Sequence, residues 1–274
     1  MKRVRAEVLS SRDFGGHHTI TLVAPEIAER ARPGQFIQVA MPTGRAIVLR
    51  RSFAVHKASR QGGWAGTLEF SFEYRGGGTE WLSSVRAHQF LDVIGPLGKG
   101  FATPRNRNNC LLVGEGSASG QLYFLAEDLG ARGKRVDMIL GAANQEGVFK
   151  PIEAKRLSQS ISVVTQDGSA GERGRAVDVL PSVASRCGSD VVYAAGPKEM
   201  LRGVAEFCRD QRIPAQVAIE ERMGCGLGQC HTCVIPVVLP DGGVENVRSC
   251  TEGPVFNASR VVWDLWIEPE AKPG

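Results

Sequence analysis

The sequence predicts a multidomain chain in which an antiparallel β-barrel, a doubly wound α/β parallel sheet and a small C-terminal unit follow one another. Three observations predict it. Residues 3 to about 103 hold six short apolar stretches broken by Gly, Pro or Asp, and from residue 109 buried strands alternate with helical stretches. Four of the seven cysteines crowd into residues 225 to 250. At 274 residues the chain is long enough for two domains and a small third, each with its own core.

The first unit, residues 1–103, contains VRAEVLSS, HTITLVA, QFIQVAM, AIVLRRSFAV, GTLEFSFEY and FLDVIGPLG. Closely spaced strands of this kind, punctuated by turn residues, predict a barrel. Between the last two, YRGGGTEWLSS sets three glycines and a threonine before a short helical pattern. The second unit, residues 104–214, opens with NNCLLVGEGSASGQLYFLAEDLGARGKRVDMILGAAN, which reads as strand, glycine turn, helix to about Gly130 and second strand. ISVVTQDGS, AVDVLPSVASR, DVVYAAGP and KEMLRGVAEFCRDQR continue the alternation to the turn at Ile213-Pro214, predicting a parallel sheet. The third unit, residues 215–274, breaks into AQVAIEERM, a Gly/Cys-rich loop, HTCVIPVVL and a DGG turn, as expected of a unit organised by its ligands.

The composition, 42% hydrophobic and 23% charged with 33 glycines and 14 prolines, is that of a soluble globular protein. No run of eighteen apolar residues appears and the opening residues lack a signal-peptide pattern, so the expectation is a cytoplasmic protein with no membrane partner. The net charge of +4 comes from 33 basic and 29 acidic residues spread along the chain, which argues against nucleic acid as a partner. Cys110, Cys187 and Cys208 stand alone in apolar or mixed contexts and read as buried structural thiols.

The remaining cysteines form the pattern Cys225-x4-Cys230-x2-Cys233-x16-Cys250. This is the spacing of a plant-type [2Fe-2S] site, in which thiolates on one tight loop and one distant cysteine converge on two irons. Gly224, Gly226 and Gly228 leave the loop free to aim backbone N–H groups at the sulfurs. A structural zinc site is the alternative, but it favours paired C-x2-C knuckles, and only Cys230 and Cys233 make one. His231 lies between two ligands of a complete four-thiolate set and reads as a loop residue.

Arg51, in LRRSFAV at the end of a predicted strand, can neutralise a pyrophosphate while neighbouring backbone faces a flavin ring; a solvated strand rim is the plainer reading. The glycines of YRGGGT can meet phosphate oxygens, or form a flexible hairpin loop. Gly114, Gly116 and Gly120 permit close backbone approach at a helix start, which also serves any βα connection.

Taken in order, LRRSFAV, YRGGGT, GPLGKGF, the strand-glycine-helix unit, AAGPKEML and EERMGCGLGQCHTC resemble the ferredoxin reductase superfamily, and most closely the electron-transfer subunits of type B dihydroorotate dehydrogenases. The resemblance spans nearly the whole chain. It implies an FAD barrel, an NAD(H)-binding domain and a terminal [2Fe-2S] module, with electrons passing to an FMN-containing, dihydroorotate dehydrogenase-like catalytic subunit in a hetero-oligomer of pyrimidine biosynthesis. It also implies that Arg51, Ser52, Phe53 and Ala54 form the flavin motif, and that Glu73, Tyr74 and Arg75 form the second flavin strand. Gly78 and Thr79 then lie at the pyrophosphate, Gly114, Gly116, Gly120, Gly196 and Pro197 at the nucleotide, and Cys225, Cys230, Cys233 and Cys250 on the cluster.

Three departures from the family pattern stand out. Ala54 replaces the usual serine of the flavin motif, GEGSASGQ replaces G-G-G-x-G-x-A-P, and Ala195 replaces a cysteine near the nicotinamide. Two other readings follow: a subunit of another complex, such as a sulfide dehydrogenase, hydrogenase or NADH-ferredoxin transhydrogenase, or a relay whose nucleotide site is degenerate. Exposed Met223 and Leu227 beside the cysteine loop are expected to anchor a partner or to pack around the cluster. Arg132, Lys134 and Arg135 read as a solvated helix end.

Overall fold

A computed structural model describes residues 1–14, 16–42 and 49–266. Its first sheet contains β1 (Lys2–Phe14), β2 (His17–Val23), β3 (Phe36–Val39), β4 (Arg51–Ala54), β5 (Lys57–Ser59), β6 (Thr67–Glu73) and β7 (Phe90–Leu97). A short helix, α1 (Pro25–Ala28), follows β2, and α2 (Gly77–Ser83) follows β6. All pairs are antiparallel, in the order β4-β3-β7-β1-β2-β6-β5. The strands β4 and β5 end the order without pairing to each other, so the sheet is a curled, open barrel. Side chains close the gap: the Phe53 ring on β4 lies 4.9 Å from Phe70 and 5.6 Å from Phe72 on β6. Residues 46–48 of the fourth expected strand lie outside the described residues. The three-residue β5 was too short to leave an apolar pattern.

The second sheet begins with β8 (Asn109–Glu115), α3 (Gly120–Ala131), β9 (Arg135–Ala142), α4 (Pro151–Leu157), β10 (Ser160–Thr165) and β11 (Glu172–Arg173). It continues with α5 (Ala176–Cys187), β12 (Val191–Ala195), α6 (Lys198–Asp210) and β13 (Ala215–Ala218). Strand β8 is buried from Cys110 to Gly114 because both its faces are covered. Leu111 and Val113 enter the core under α5 and α6, while Cys110 and Leu112 enter the one under α3. The sheet order, β11-β10-β9-β8-β12-β13 and then the late β16 (Val255–Asn257), makes β8 the strand from which the order reverses. All pairings are parallel except that of β16. The short α4, which gave no signal in the sequence, starts with Pro151 after Lys150 takes a left-handed φ of 40°.

The C-terminal residues add one hairpin, β14 (Val234–Val238) with β15 (Val244–Arg248), around the expected DGG turn. Both β13 and β16 hydrogen-bond into the second sheet, so the chain after residue 214 completes that sheet as well as carrying the cysteine loop. Among the described residues no helix is long and apolar enough to cross a membrane.

Candidate functional site

The hairpin explains the longest cysteine spacing. Register pairs Val234 with Arg248, and the Ser249 N–H donates to the Cys233 carbonyl at 2.7 Å, so Cys233 and Cys250 flank the open end of the hairpin. Both are 2% exposed and belong to one buried cluster. Burial first, then the neighbouring Cys233, pushes the Cys250 thiol up to about 12. The other two thiols share the outer loop. Cys225 Sγ accepts the N–H groups of Leu227 and Gln229 at 3.3 Å and of Cys230 at 3.4 Å. Cys230 Sγ accepts the Thr232 hydroxyl at 3.1 Å and the Cys225 N–H at 3.4 Å. Those donors, Thr232 foremost, pull the exposed Cys230 thiol down to about 6.

The loop is therefore built for anionic sulfur, and the sulfurs stand as two pairs, Cys225 with Cys230 and Cys233 with Cys250. Among the described residues no three His, Cys, Asp or Glu side chains group as ligands of one ion. This donor set, four thiols of which the outer two accept N–H groups and the inner two are buried, fits a binuclear iron-sulfur centre. The loop residue His231 is exposed at φ 53°. Met223 packs with Phe36, Leu97, Cys233 and Cys250, whereas Leu227 is exposed.

The same apolar contact docks the cysteine unit on the barrel. Phe36 belongs to β3 and Leu97 to β7, and the Lys99 N–H donates to the Gly253 carbonyl at 2.5 Å. Strand β3 pairs with β4, which carries the arginine motif. Arg51 lies over the start of α2, its Nε 3.3 Å from where a Cβ on Gly78 would stand. Phe53 is buried in the barrel, and Ser52 and Ala54 are half-buried. The Thr79 hydroxyl is committed to its own turn: it donates to the Gly76 carbonyl at 2.9 Å and accepts the Arg75 N–H at 2.8 Å. The Tyr74 hydroxyl donates to Asp13.

Glu73 joins the barrel to the glycine turn after β8. Its Oε1 accepts the Ser117 hydroxyl at 2.7 Å, and Oε2 accepts Arg75 at 3.1 Å. Burial would raise its pKa, but Ser117 and Arg75 outweigh that and hold the carboxyl below the usual range. Gly114 and Ala195 are register partners at the ends of β8 and β12, with Gly196 and Pro197 following. They flank the crevice where the sheet order reverses, with Gly116 in the turn between β8 and α3. Gly120 is different: a Cβ there would stand 1.9 Å from His56 Nε2, so its smallness seats the barrel against α3.

Glu115, part of the altered glycine run, has a definite place. Its carboxyl reaches 3.5 Å from a Cβ position on Gly141, its Cβ lies 3.1 Å from one on Gly196, and burial raises its pKa. It sits in the crevice itself. Arg132, Lys134 and Arg135 are locally engaged, with Asp128, with Arg105 and Asn108, and with Asp137. Cys110 and Cys208 are buried thiols pushed up to about 11 and about 12 by desolvation, and Cys187 is buried as well.

Comparisons with known proteins agree with this geometry. Residues 220–262 match the family described as the iron-sulfur cluster binding domain of dihydroorotate dehydrogenase B. The chain is 31% identical to the dihydroorotate dehydrogenase B (NAD(+)) electron transfer subunit of Desulforamulus reducens, covering 88% of this chain and 90% of the relative. It is 37% identical to that of Geobacillus kaustophilus, covering 89% and 92%. Its fold is similar to a solved NADH-dependent reduced ferredoxin-NADP oxidoreductase, with a TM-score of 0.80 at 24% identity over 95% of this chain and 91% of that one. A ferredoxin NADP+ reductase from Neisseria gonorrhoeae, solved with FAD and NADP, aligns at a TM-score of 0.60 and 17% identity over 77% and 92%. The chain belongs to the family of dihydroorotate dehydrogenase B electron-transfer subunits.

Proposed function

We propose that this chain passes electrons between a nicotinamide nucleotide and an FMN-containing, dihydroorotate-oxidising catalytic subunit, in the cytoplasm and as part of a hetero-oligomer. The observation that carries the reading is the docking of the Cys233 and Cys250 pair against Phe36 of β3 and Leu97 of β7, β3 being the strand that pairs with the arginine motif. When bound, FAD supplies the exchange between hydride and single-electron chemistry, and the [2Fe-2S] cluster supplies a one-electron outlet.

In this reading residues 1–103 hold FAD, residues 104–214 hold the nucleotide and residues 215–274 hold the cluster, with β13 and β16 of the last segment tying it to the nucleotide sheet. Arg51 offers its guanidinium to the pyrophosphate beside Gly78 and Thr79. The backbone of Arg51–Ala54 and of Glu73, Tyr74 and Arg75 faces the ring, while Phe53 keeps water from the barrel side. Gly114, Gly116, Gly120, Gly196 and Pro197 line or support the nucleotide crevice. Cys225, Cys230, Cys233 and Cys250 hold the cluster.

Protein purified anaerobically should contain FAD, iron and acid-labile sulfide, and should co-purify with its catalytic subunit when the two are co-expressed. Cys250→Ser should lose iron and keep FAD. A preparation without iron and sulfide after reconstitution would overturn the reading. Glu115 in the crevice favours one second reading, a relay that takes no nucleotide; flavin that fails to bleach with NADH or NADPH would establish it.

A further inference from the structure

Strand β3 reads FIQV and is buried at all four positions, yet its third residue is a glutamine that is 1% exposed. An amide in such a place is tolerated where it makes hydrogen bonds, and its partners define its role. Gln38 pairs in register with Ser52 on β4, and its Nε2 donates to the Ser52 hydroxyl at 3.3 Å. Its other neighbour belongs to the far end of the chain. A Cβ built on Gly226, between Cys225 and Leu227, would stand 2.4 Å from Gln38 Nε2 and 2.6 Å from its Cδ. The carboxamide therefore lies flat on the Cα of Gly226, and no side chain can come between them. Gly226 holds φ at 66°, in the left-handed region, so the loop is shaped and emptied at the point where the amide rests. One buried side chain thus touches both the proposed flavin motif and the proposed cluster loop.

We propose that Gln38 is the positioning residue for electron transfer between the two cofactors. Its carboxamide fixes the separation of the strand that faces the flavin from the loop that carries Cys225 and Cys230. No bond is made or broken: the electron lost by the reduced flavin is the electron gained by the cluster. The inference rests on the function proposed above, since it needs both cofactors bound.

Two variants test it. Gln38→Ala removes the hydrogen bond and the support under Gly226; Gln38→Met keeps the bulk and removes only the hydrogen bond to Ser52. FAD, iron and sulfide contents are measured first, and their absence from the unmodified protein refutes the proposed function rather than this inference. The flavin is then reduced by a flash and the cluster's reduction is followed, with the magnetic interaction between the one-electron-reduced flavin and the reduced cluster read by electron paramagnetic resonance. With both cofactors loaded, Gln38→Ala should slow flavin-to-cluster transfer several-fold and should weaken the magnetic interaction, since both fall as the separation of the centres grows. The rate of flavin reduction by added dithionite should stay the same. Gln38→Met should fall between the two. Unchanged transfer and unchanged magnetic interaction in loaded Gln38→Ala would overturn the inference. Should that variant fail to bind its cluster, the same two null results in Gln38→Met would overturn it.

Discussion

His56 shows how much a single residue position can hide from sequence. It follows the arginine motif as one more residue of an apolar stretch, but it is buried against Gly120 and stacks edge-on to Phe149 at 5.2 Å. Burial, then the positive Lys150 and the neighbouring His17, lower its pKa to about 3. Charged groups at this junction also include Glu69, which holds Lys150 at 2.8 Å, Glu153, 4.0 Å from Lys150, and Glu73, 3.8 Å from His17. In the unfolded chain the same imidazole takes a proton near its ordinary 6.5. Between those values the unfolded state binds the extra proton, so stability falls as pH drops from about 6.5 toward about 3, by up to ~1.4 kcal/mol per pH unit from this group. Urea unfolding across that range should show the slope, and His56→Leu should flatten it; an unchanged slope would assign the acid sensitivity elsewhere. The same junction predicts that Gly120→Ala, which forces a methyl into the imidazole, costs about 1–3 kcal/mol. Gly120 was legible as a residue that must be small, in a motif associated with nucleotide. Its packing role was not, because His56 lies 64 positions away in sequence and the contact follows from how two domains meet.

At the scale of elements, the cysteine unit was legible because its pattern is local. The C-x4-C-x2-C loop, the DGG turn and the apolar stretch after Cys233 together specify a loop followed by a hairpin, and the gap of sixteen residues to Cys250 is the length of that hairpin with its flanks. The short α4 and the two-residue β11 were not legible, since neither is long enough to show a period. Strand β6 carries a consequence of its own. It ends in Glu73, whose carboxylate receives Ser117 from the turn between β8 and α3, so the strand braces that turn, the one proposed above for the nucleotide, from the barrel side. Glu73→Gln keeps the shape and removes the charge. The bond is half-exposed and solvent screening discounts it, so the apparent KM for nucleotide should rise about threefold to tenfold with FAD content unchanged. Steady-state kinetics with an artificial electron acceptor measure this, and an unaltered KM would show that the turn holds itself.

At the scale of the whole molecule, the order of the three units was readable along the chain, but how the third returns to the first was not. The return depends on complementary surfaces far apart in sequence. A Cβ on Gly98 would stand 2.6 Å from Pro254 Cδ and 2.9 Å from Phe36, Lys99 bridges to Pro254, and Phe36 and Leu97 close over Cys233 and Cys250. At the same time β16 adds an antiparallel edge to the sheet that begins with β8. The cysteine unit therefore grips both larger units at once, so a metal that orders it would couple its folding to theirs. From this we expect one cooperative transition rather than three. Removing the iron with a chelator, or by Cys233→Ser, should lower the midpoint of FAD release and the midpoint of far-ultraviolet ellipticity loss together, by roughly 4 to 6 °C, as a loss of about 2–3 kcal/mol does in a chain of this size. Flavin fluorescence and circular dichroism on one sample decide it. If ellipticity persists through a transition that has already released the flavin, the barrel and the parallel sheet unfold independently, and the bridging role assigned to the C-terminal residues is wrong.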